Sequence, residues 1–324
     1  MLDNQLVLAR VFAEALRAAG VECLCLPRWF KCWGDVAQCA AVGVLLGRYK
    51  VCRGGCAGVP AAEVGGVSFI KRGPGGGCGW ELARDCQEPV ELWLEPPAKP
   101  VVVVDLSLWG EHTPGEKHEL VEQVIETLRV VRRFLWDGNL WITNAPGEFL
   151  DFLNLHARGL VHKMKILGET PPFENPVVLD PEGPCLFTEE VARTRAEFII
   201  GGIVDKERTA KSATSRLAAM IGVEERCRVE LRGSRVGVPD RINKIAEIVL
   251  RAWAGEPVER AVLAVQAKRD RVYRLMWEIQ KRAKRAPDGT LEVTRAAIAE
   301  ANWLGAPEEE VELALRKLRV KILD

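Results

Sequence analysis

The stretch Phe198-Ile-Ile-Gly-Gly-Ile-Val-Asp-Lys-Glu-Arg208 decides how the chain is read. An apolar strand runs through a glycine pair and ends in a carboxylate, Asp205, at the strand's C-terminal edge. That edge is where open α/β sheets bind ligands. Gly201 and Gly202 carry no side chains, so a ligand can approach the backbone there; the same glycines equally serve close strand–helix packing. Around this stretch, strands apolar on both faces alternate with amphipathic helices, the pattern of a buried parallel sheet in an α/β domain. The expected strands are 101–108, 139–143, 165–167, 177–179, 198–204 and 226–231. Helices are expected near 116–133, 146–158, 189–196, 210–220 and 240–253.

A second informative segment is Val229-Glu-Leu-Arg-Gly-Ser-Arg-Val-Gly-Val-Pro-Asp-Arg-Ile-Asn243. Strand, small-residue loop and then Pro239-Asp240 before an amphipathic run make a well-formed helix start. The loop's exposed amides can hold an adenine or ribose edge. A Rossmann site is disfavoured, because no Gly-x-Gly-x-x-Gly follows the strand 101–108, and Asp105-Leu-Ser107 stands at its end instead. The glycine run Arg72-Gly-Pro-Gly-Gly-Gly-Cys78 has no Lys-Ser or Lys-Thr after it and reads as a loop rather than a phosphate cradle.

At 324 residues the chain is long enough for two or three cores. Three units are expected: a Cys-rich α+β unit over 1–95, an α/β unit over 99–255, and a helical unit over 256–324. The first opens with a helix over 2–19 and continues as short strands and Gly-rich turns to Leu94; Glu95-Pro-Pro-Ala-Lys-Pro100 then reads as a stiff linker. Helices over 258–285, 294–302 and 307–318 close the chain. Of the ten cysteines, Cys23, Cys25, Cys32, Cys39, Cys52, Cys56, Cys78 and Cys86 precede residue 90. Only Cys52-Arg-Gly-Gly-Cys56 has a ligand-like gap, so disulfides or buried thiols are favoured over zinc. The four histidines show no ligand spacing, and no metal is expected.

Lys plus Arg and Asp plus Glu each number 45, which excludes a uniformly basic polynucleotide binder. RNA contact would have to come from local clusters: Lys206, Arg208, Lys211 and Arg216; Arg226 to Arg241; and Lys268 to Arg285. Each is also an ordinary solvated face. There is no signal-peptide pattern and no bilayer-length apolar run, so a cytoplasmic protein is expected. Few Asn and Gln beside many Arg, Glu and Val lean towards a thermophile.

The order of Val101-Val-Val-Val-Asp105-Leu-Ser107, the helix with Glu119-Leu-Val-Glu-Gln123 ending Arg132-Arg133, Leu140-Trp-Ile-Thr143, Val177-Val-Leu-Asp180, Ile199-Ile-Gly-Gly-Ile-Val-Asp205-Lys206 and the Asn243 helix resembles the archaeal tRNA purine-9 N1-methyltransferases. These belong to the SPOUT class, and the resemblance covers residues 99–254. It implies a parallel sheet with a deep C-terminal trefoil knot, S-adenosylmethionine as cofactor, tRNA as partner and a monomer. It also implies cofactor loops near Thr143 to Ala145 (Thr143, Asn144), Gly201 to Asp205 (Gly201, Gly202, Asp205) and Leu231 to Val238 (Leu231, Gly233, Ser234, Val236, Val238). Asp205 is the expected general base for guanosine, or for adenosine the carboxylate that stabilises the cationic product, with Asp105 and Gln123 beside it or serving as helix–strand scaffolding. Lys206, Arg208, Lys211, Arg132, Arg133 and Arg235 are the expected RNA contacts. The alternatives are a SPOUT methyltransferase of ribosomal RNA and an RNA-binding protein that has lost catalysis.

Overall fold

A computed structural model describes residues 6–32, 34–204 and 212–323. The first unit comprises α1 (Val7–Ala18), β1 (Cys23–Leu26), α2 (Val36–Leu45), β2 (Lys50–Val64), β3 (Val67–Arg72) and β4 (Gly76–Ala83). Its strands close into a barrel in the order β1-β3-β2-β4. Phe12 and Leu16 of α1 and Ala40 and Ala41 of α2 pack into the same core as Leu24, Phe69 and Leu82. The sequence did not suggest α2, whose run Val-Ala-Gln-Cys-Ala-Ala-Val-Gly-Val-Leu is apolar nearly all round and so carries no helical stripe.

All ten cysteines are paired, which decides for disulfides among the alternatives left open by spacing. Cys23–Cys78, Cys25–Cys56 and Cys52–Cys86 staple the barrel strands, and Cys32–Cys39 closes the turn before α2. The fifth, Cys185–Cys227, lies in the central sheet. Cys185, Glu225 and Cys227 come together there, but with both sulfurs bonded to each other they offer no thiolate to a metal.

The central unit contains β5 (Val101–Asp105), α3 (Pro114–Phe134), β6 (Leu140–Thr143), α4 (Gly147–His156), β7 (Lys165–Ile166), β8 (Pro176–Leu179), β9 (Cys185–Leu186), α5 (Glu189–Thr194), β10 (Glu197–Gly201), α6 (Ala213–Met220), β11 (Arg226–Arg228) and α7 (Ile242–Trp253). Its seven strands lie in the order β7-β6-β5-β10-β8-β11-β9, and every pairing is parallel. The strand β5 shows why: Val102 and Val104 join α3, α4 and α7 in one core, while Val101 and Val103 join α6 in another. All five residues of β5 are fully buried, and burying one such valine side chain contributes about 1.5–3 kcal/mol. Thr113 and Glu116 form a reciprocal cap at the start of α3, with Pro114 at its first position. Several expected strands extend past the observed ones because their last residues, such as 106–108 and 202–204, leave the ladder and form the loops at the sheet's edge.

The last unit is not purely helical, contrary to the sequence expectation. It holds α8 (Val258–Val265), α9 (Lys268–Arg282), β12 (Lys284–Arg285), β13 (Leu291–Thr294), α10 (Arg295–Ala301), α11 (Glu308–Leu318) and β14 (Lys321–Leu323). The three short strands form their own sheet, and the helix expected over 258–285 breaks at Gln266-Ala267, where the backbone turns extended.

The first two units are tied by side chains. Gln38 of α2 donates to the carbonyls of Arg132 (3.0 Å) and Leu135 (2.7 Å), satisfying the C-terminal end of α3. Asn139 donates to the carbonyls of Pro97 (3.0 Å) and Pro100 (2.9 Å), fixing the linker to the start of β6.

Candidate active site

Parallel pairing in register places Asp105, Thr143 and Gly201 side by side at the C-terminal ends of β5, β6 and β10. Asp105 is fully buried and acts as a hub. Its Oδ1 accepts the Ser107 amide at 3.0 Å, and its Oδ2 accepts Thr143 Oγ1 at 2.7 Å and Asn144 Nδ2 at 2.6 Å. Asn144, held in the left-handed region at φ 52°, also donates to Ser107 Oγ (2.9 Å) and Thr170 Oγ1 (2.8 Å). One carboxylate and one amide thus fasten three loops. The Asp105 oxygens are occupied by the protein's own donors.

Gly202 is required by a close approach. A Cβ there would lie 2.8 Å from the Asp105 carbonyl and 2.6 Å from Leu106 Cδ2, and the Gly202 amide donates to that same carbonyl at 2.8 Å. The chain then passes Val204, whose amide donates to His112 Nε2 at 3.1 Å while His112 Nδ1 lies 3.1 Å from the Leu108 carbonyl. The imidazole therefore bridges the β5 and β10 exits. Nothing in sequence spacing marks His112 for this role, since 92 residues separate the partners. Asp205, Lys206, Arg208 and Lys211 lie outside the described residues.

The loop Leu231–Val238 leads from β11 towards α7. Arg232 and Gly233 are both left-handed, at φ 47° and 71°, and a short turn closes through Leu231 N to Ser234 O at 2.8 Å. Ser234 Oγ accepts the Val236 amide at 3.1 Å, and the Val238 amide bonds the Arg235 carbonyl at 3.0 Å. The space where a Gly233 Cβ would stand is open. One side of the loop is held by Arg235, donating to the Pro181 carbonyl at 2.6 Å. The other side meets α9: Arg274 donates to the carbonyls of Leu231 (2.6 Å) and Val236 (3.1 Å), and Gln266 to that of Gly237 (2.7 Å). Burial pulls the Arg274 guanidinium below the ordinary arginine range against its bond to Glu278. Burial alone would raise the Glu278 carboxyl, but hydrogen bonds from Arg282, Trp303 and Arg274 hold it below the usual range.

Other expected residues fall differently. Gln123 is buried and accepts the Ile242 amide at 2.9 Å through Oε1, at the start of α7. Arg132 grips the fully buried Asp137 through two bonds of 2.6 and 2.7 Å. Arg133 pairs with Glu247 at 2.7 Å and stays partly exposed, as does Arg235 beyond its carbonyl bond. Much of the basic clustering is similarly matched: Arg216 with Glu111, Arg226 with Asp180, Arg232 with Glu259 and Arg271 with Glu310. The histidines that show no spacing in sequence include one contacting pair, His118 Nδ1 and His156 Nε2 at 2.6 Å. A separate cavity of about 810 Å³ is lined by residues of the barrel unit, including Arg28, Trp29 and Arg84.

A parallel sheet whose ligand edge is built from a glycine pair and a side-chain-poor loop, with no Rossmann fingerprint, defines a non-Rossmann α/β binding protein. No protein-family model matches the chain. The chain is 32% identical over 315 residues to the tRNA (adenine(9)-N1)-methyltransferase of Sulfolobus acidocaldarius, covering 97% of this chain and 99% of that one. It is 31% identical over 295 residues to the tRNA (guanine(9)-/adenine(9)-N1)-methyltransferase of Thermococcus kodakarensis, covering 86% and 78%. The crystal structure of Sulfolobus acidocaldarius Trm10 in complex with S-adenosylhomocysteine superposes with a TM-score of 0.75 at 28% identity, covering 96% of this chain and 99% of that one. The chain belongs to the Trm10 family of tRNA purine-9 N1-methyltransferases.

Proposed function

We propose that this chain transfers the methyl group of S-adenosylmethionine to N1 of the purine at position 9 of tRNA. The observation that carries the proposal is relatedness along the whole chain, 97% of it against 99% of the Sulfolobus enzyme, joined to a backbone-walled edge at β5, β6 and β10. The residues present fit the cofactor. Open space at Gly233 leaves room beside the amides of the Leu231–Val238 loop, and the buried Asn243 Oδ1 on the first turn of α7 has no hydrogen-bond partner among the described residues. Thr143, Asn144, Gly201, Gly202 and the loop Leu231–Val238 would hold it, and when bound it supplies an electrophilic methyl sulfonium.

The remaining work falls to side chains. Guanine N1 carries a proton and must lose it before attack, so Asp205 acts as general base for guanosine. Adenine N1 has a free lone pair, and there the same carboxylate stabilises the cationic product. Asp105, Asn144 and His112 keep the loops in place. The target purine leaves its stack to reach the site, and RNA is held by phosphate contacts from Lys206, Arg208, Lys211, Arg133 and Arg235. The barrel unit adds grip at its cavity, where Arg84 lies 4.8 Å over the Trp29 ring.

The same proposal includes division into units 1–95, 99–255 and 256–324, a C-terminal trefoil knot, and a cytoplasmic monomer. Two contacts support the knot: Arg235 of the β11–α7 loop donates to the Pro181 carbonyl in the β8–β9 loop, and a Cβ on Gly183 of that loop would lie 2.5 Å from the Arg226 carbonyl of β11. Among the described residues, no helix is long and apolar enough to cross a membrane. Purified protein incubated with methyl-labelled cofactor and tRNA transcripts differing only at position 9 tests the function. N1-methylpurine at that position is expected; label confined to ribosomal RNA, or none, contradicts it.

A further inference from the structure

Arg274 stands out among the charged groups because its side chain is fully buried at the junction of two units. A cation there is tolerated only with close partners, since desolvation is costly. Glu278, one turn along α9, accepts Arg274 Nε at 2.9 Å, and the rings of Trp277 and Trp303 lie 4.5 and 5.3 Å from the guanidinium. Nη1 does something an adhesive ion pair does not. It donates to the carbonyls of both Leu231 and Val236, the two ends of the turn.

The rest of α9 and its lead-in reinforce that grip. Gln266 holds the carbonyl of Gly237, which is left-handed at φ 84°, and a Cβ on Gly237 would lie 2.7 Å from Arg274 Cβ and 3.1 Å from the Asp270 carbonyl. Glycine is thus required by the approach of α9 as well as by the backbone. Arg232 in the turn lies 3.6 Å over the Trp303 ring and pairs with Glu259 of α8. Carbonyls drawn towards α9 orient the neighbouring peptide planes, so the direction of the turn's amides is set from outside the central unit.

We propose that Arg274 is a positioning residue for the methyl-donor loop: through Leu231 and Val236 the C-terminal unit shapes the cofactor site. This rests on the reading of Leu231–Val238 as a cofactor wall. Lysine has a single ammonium in place of the planar fork and cannot serve both carbonyls and Glu278 in the same geometry. The full chain carrying Arg274→Met or Arg274→Lys is compared with the native protein by calorimetric titration with S-adenosylhomocysteine and by steady-state methylation, with melting temperature as a folding control.

In Arg274→Met, Kd for S-adenosylhomocysteine and KM for S-adenosylmethionine rise by about 10- to 100-fold, as expected from losing charged hydrogen bonds. With saturating donor, kcat and KM for tRNA stay within about threefold, and Arg274→Lys falls between Met and native. A folded Arg274→Met binding within about twofold of native, or losing kcat with an unchanged donor KM, overturns the proposal. Should Arg274→Met fail to fold, Gln266→Met carries the test: weaker donor binding supports the clamp, and native affinity refutes it. If the native chain itself does not bind S-adenosylhomocysteine, the reading of the loop falls, separately from Arg274.

Discussion

Replacing Asp105 by Asn separates a framework carboxylate from a catalytic one. The native group accepts from Ser107 N, Thr143 Oγ1 and Asn144 Nδ2, and it is fully buried. An amide has one acceptor. With its nitrogen turned towards Thr143 and Asn144, the Asn144 amide meets a donor; turned the other way, the Ser107 amide does. An unsatisfied buried donor costs about 1–3 kcal/mol, and the surviving bonds lose their charge, falling from roughly 1.5–3 to 0.5–1.5 kcal/mol each. The sum is about 3–6 kcal/mol, which for a unit of this size lowers Tm by roughly 10–20 °C. Thermal unfolding followed by circular dichroism measures it, beside methylation well below the new Tm. The account expects a large Tm loss with residual activity. An unchanged Tm together with abolished activity would refute the framework role and return Asp105 to the chemistry.

Asp205→Asn is expected to depress guanosine methylation more in acid than in alkaline buffer, because removing the base matters most where N1 keeps its proton; a rate–pH profile parallel to the native one would contradict the base role. Arg132→Ala should lower stability by about 3–5 kcal/mol by stranding the buried Asp137 carboxylate, and denaturant unfolding measures this; tRNA affinity lost at native stability would reinstate it as an RNA contact. With all ten cysteines paired, alkylation of the denatured, unreduced protein should add no mass, and mass spectrometry finding labelled thiols would break the assignment. Reduction should then lower the melting temperature, each of the longer loops contributing about 2–4 kcal/mol.

The central sheet was legible because parallel strands are buried on both faces and so appear as unbroken apolar runs: Val101 to Val104 and Phe198 to Ile200 need no context. The barrel was not. Its longest strand, Lys50–Val64, carries three glycines and two register shifts, so no alternation marks it, and its closure depends on cysteine partners 31 to 55 residues apart. Likewise, β13 and β14 pair across α10 and α11, beyond the reach of local patterning. At the site, glycine pairs and strand ends could be read from sequence, whereas the partners of polar groups could not. Gln123 and Arg132 have the chemistry of a site, but Ile242 and Asp137 occupy them; His112 and Arg274 have no local signature and act through contacts 92 and 38 to 43 residues away.

The central claim is that a methyl donor rests against backbone at the ends of β5, β6 and β10. A crystal structure of the chain soaked with S-adenosylhomocysteine tests it most directly. Ligand lodged between Thr143–Ala145, Gly201–Asp205 and Leu231–Val238 is the predicted result. Ligand bound anywhere else, with those loops closed on one another, would contradict it.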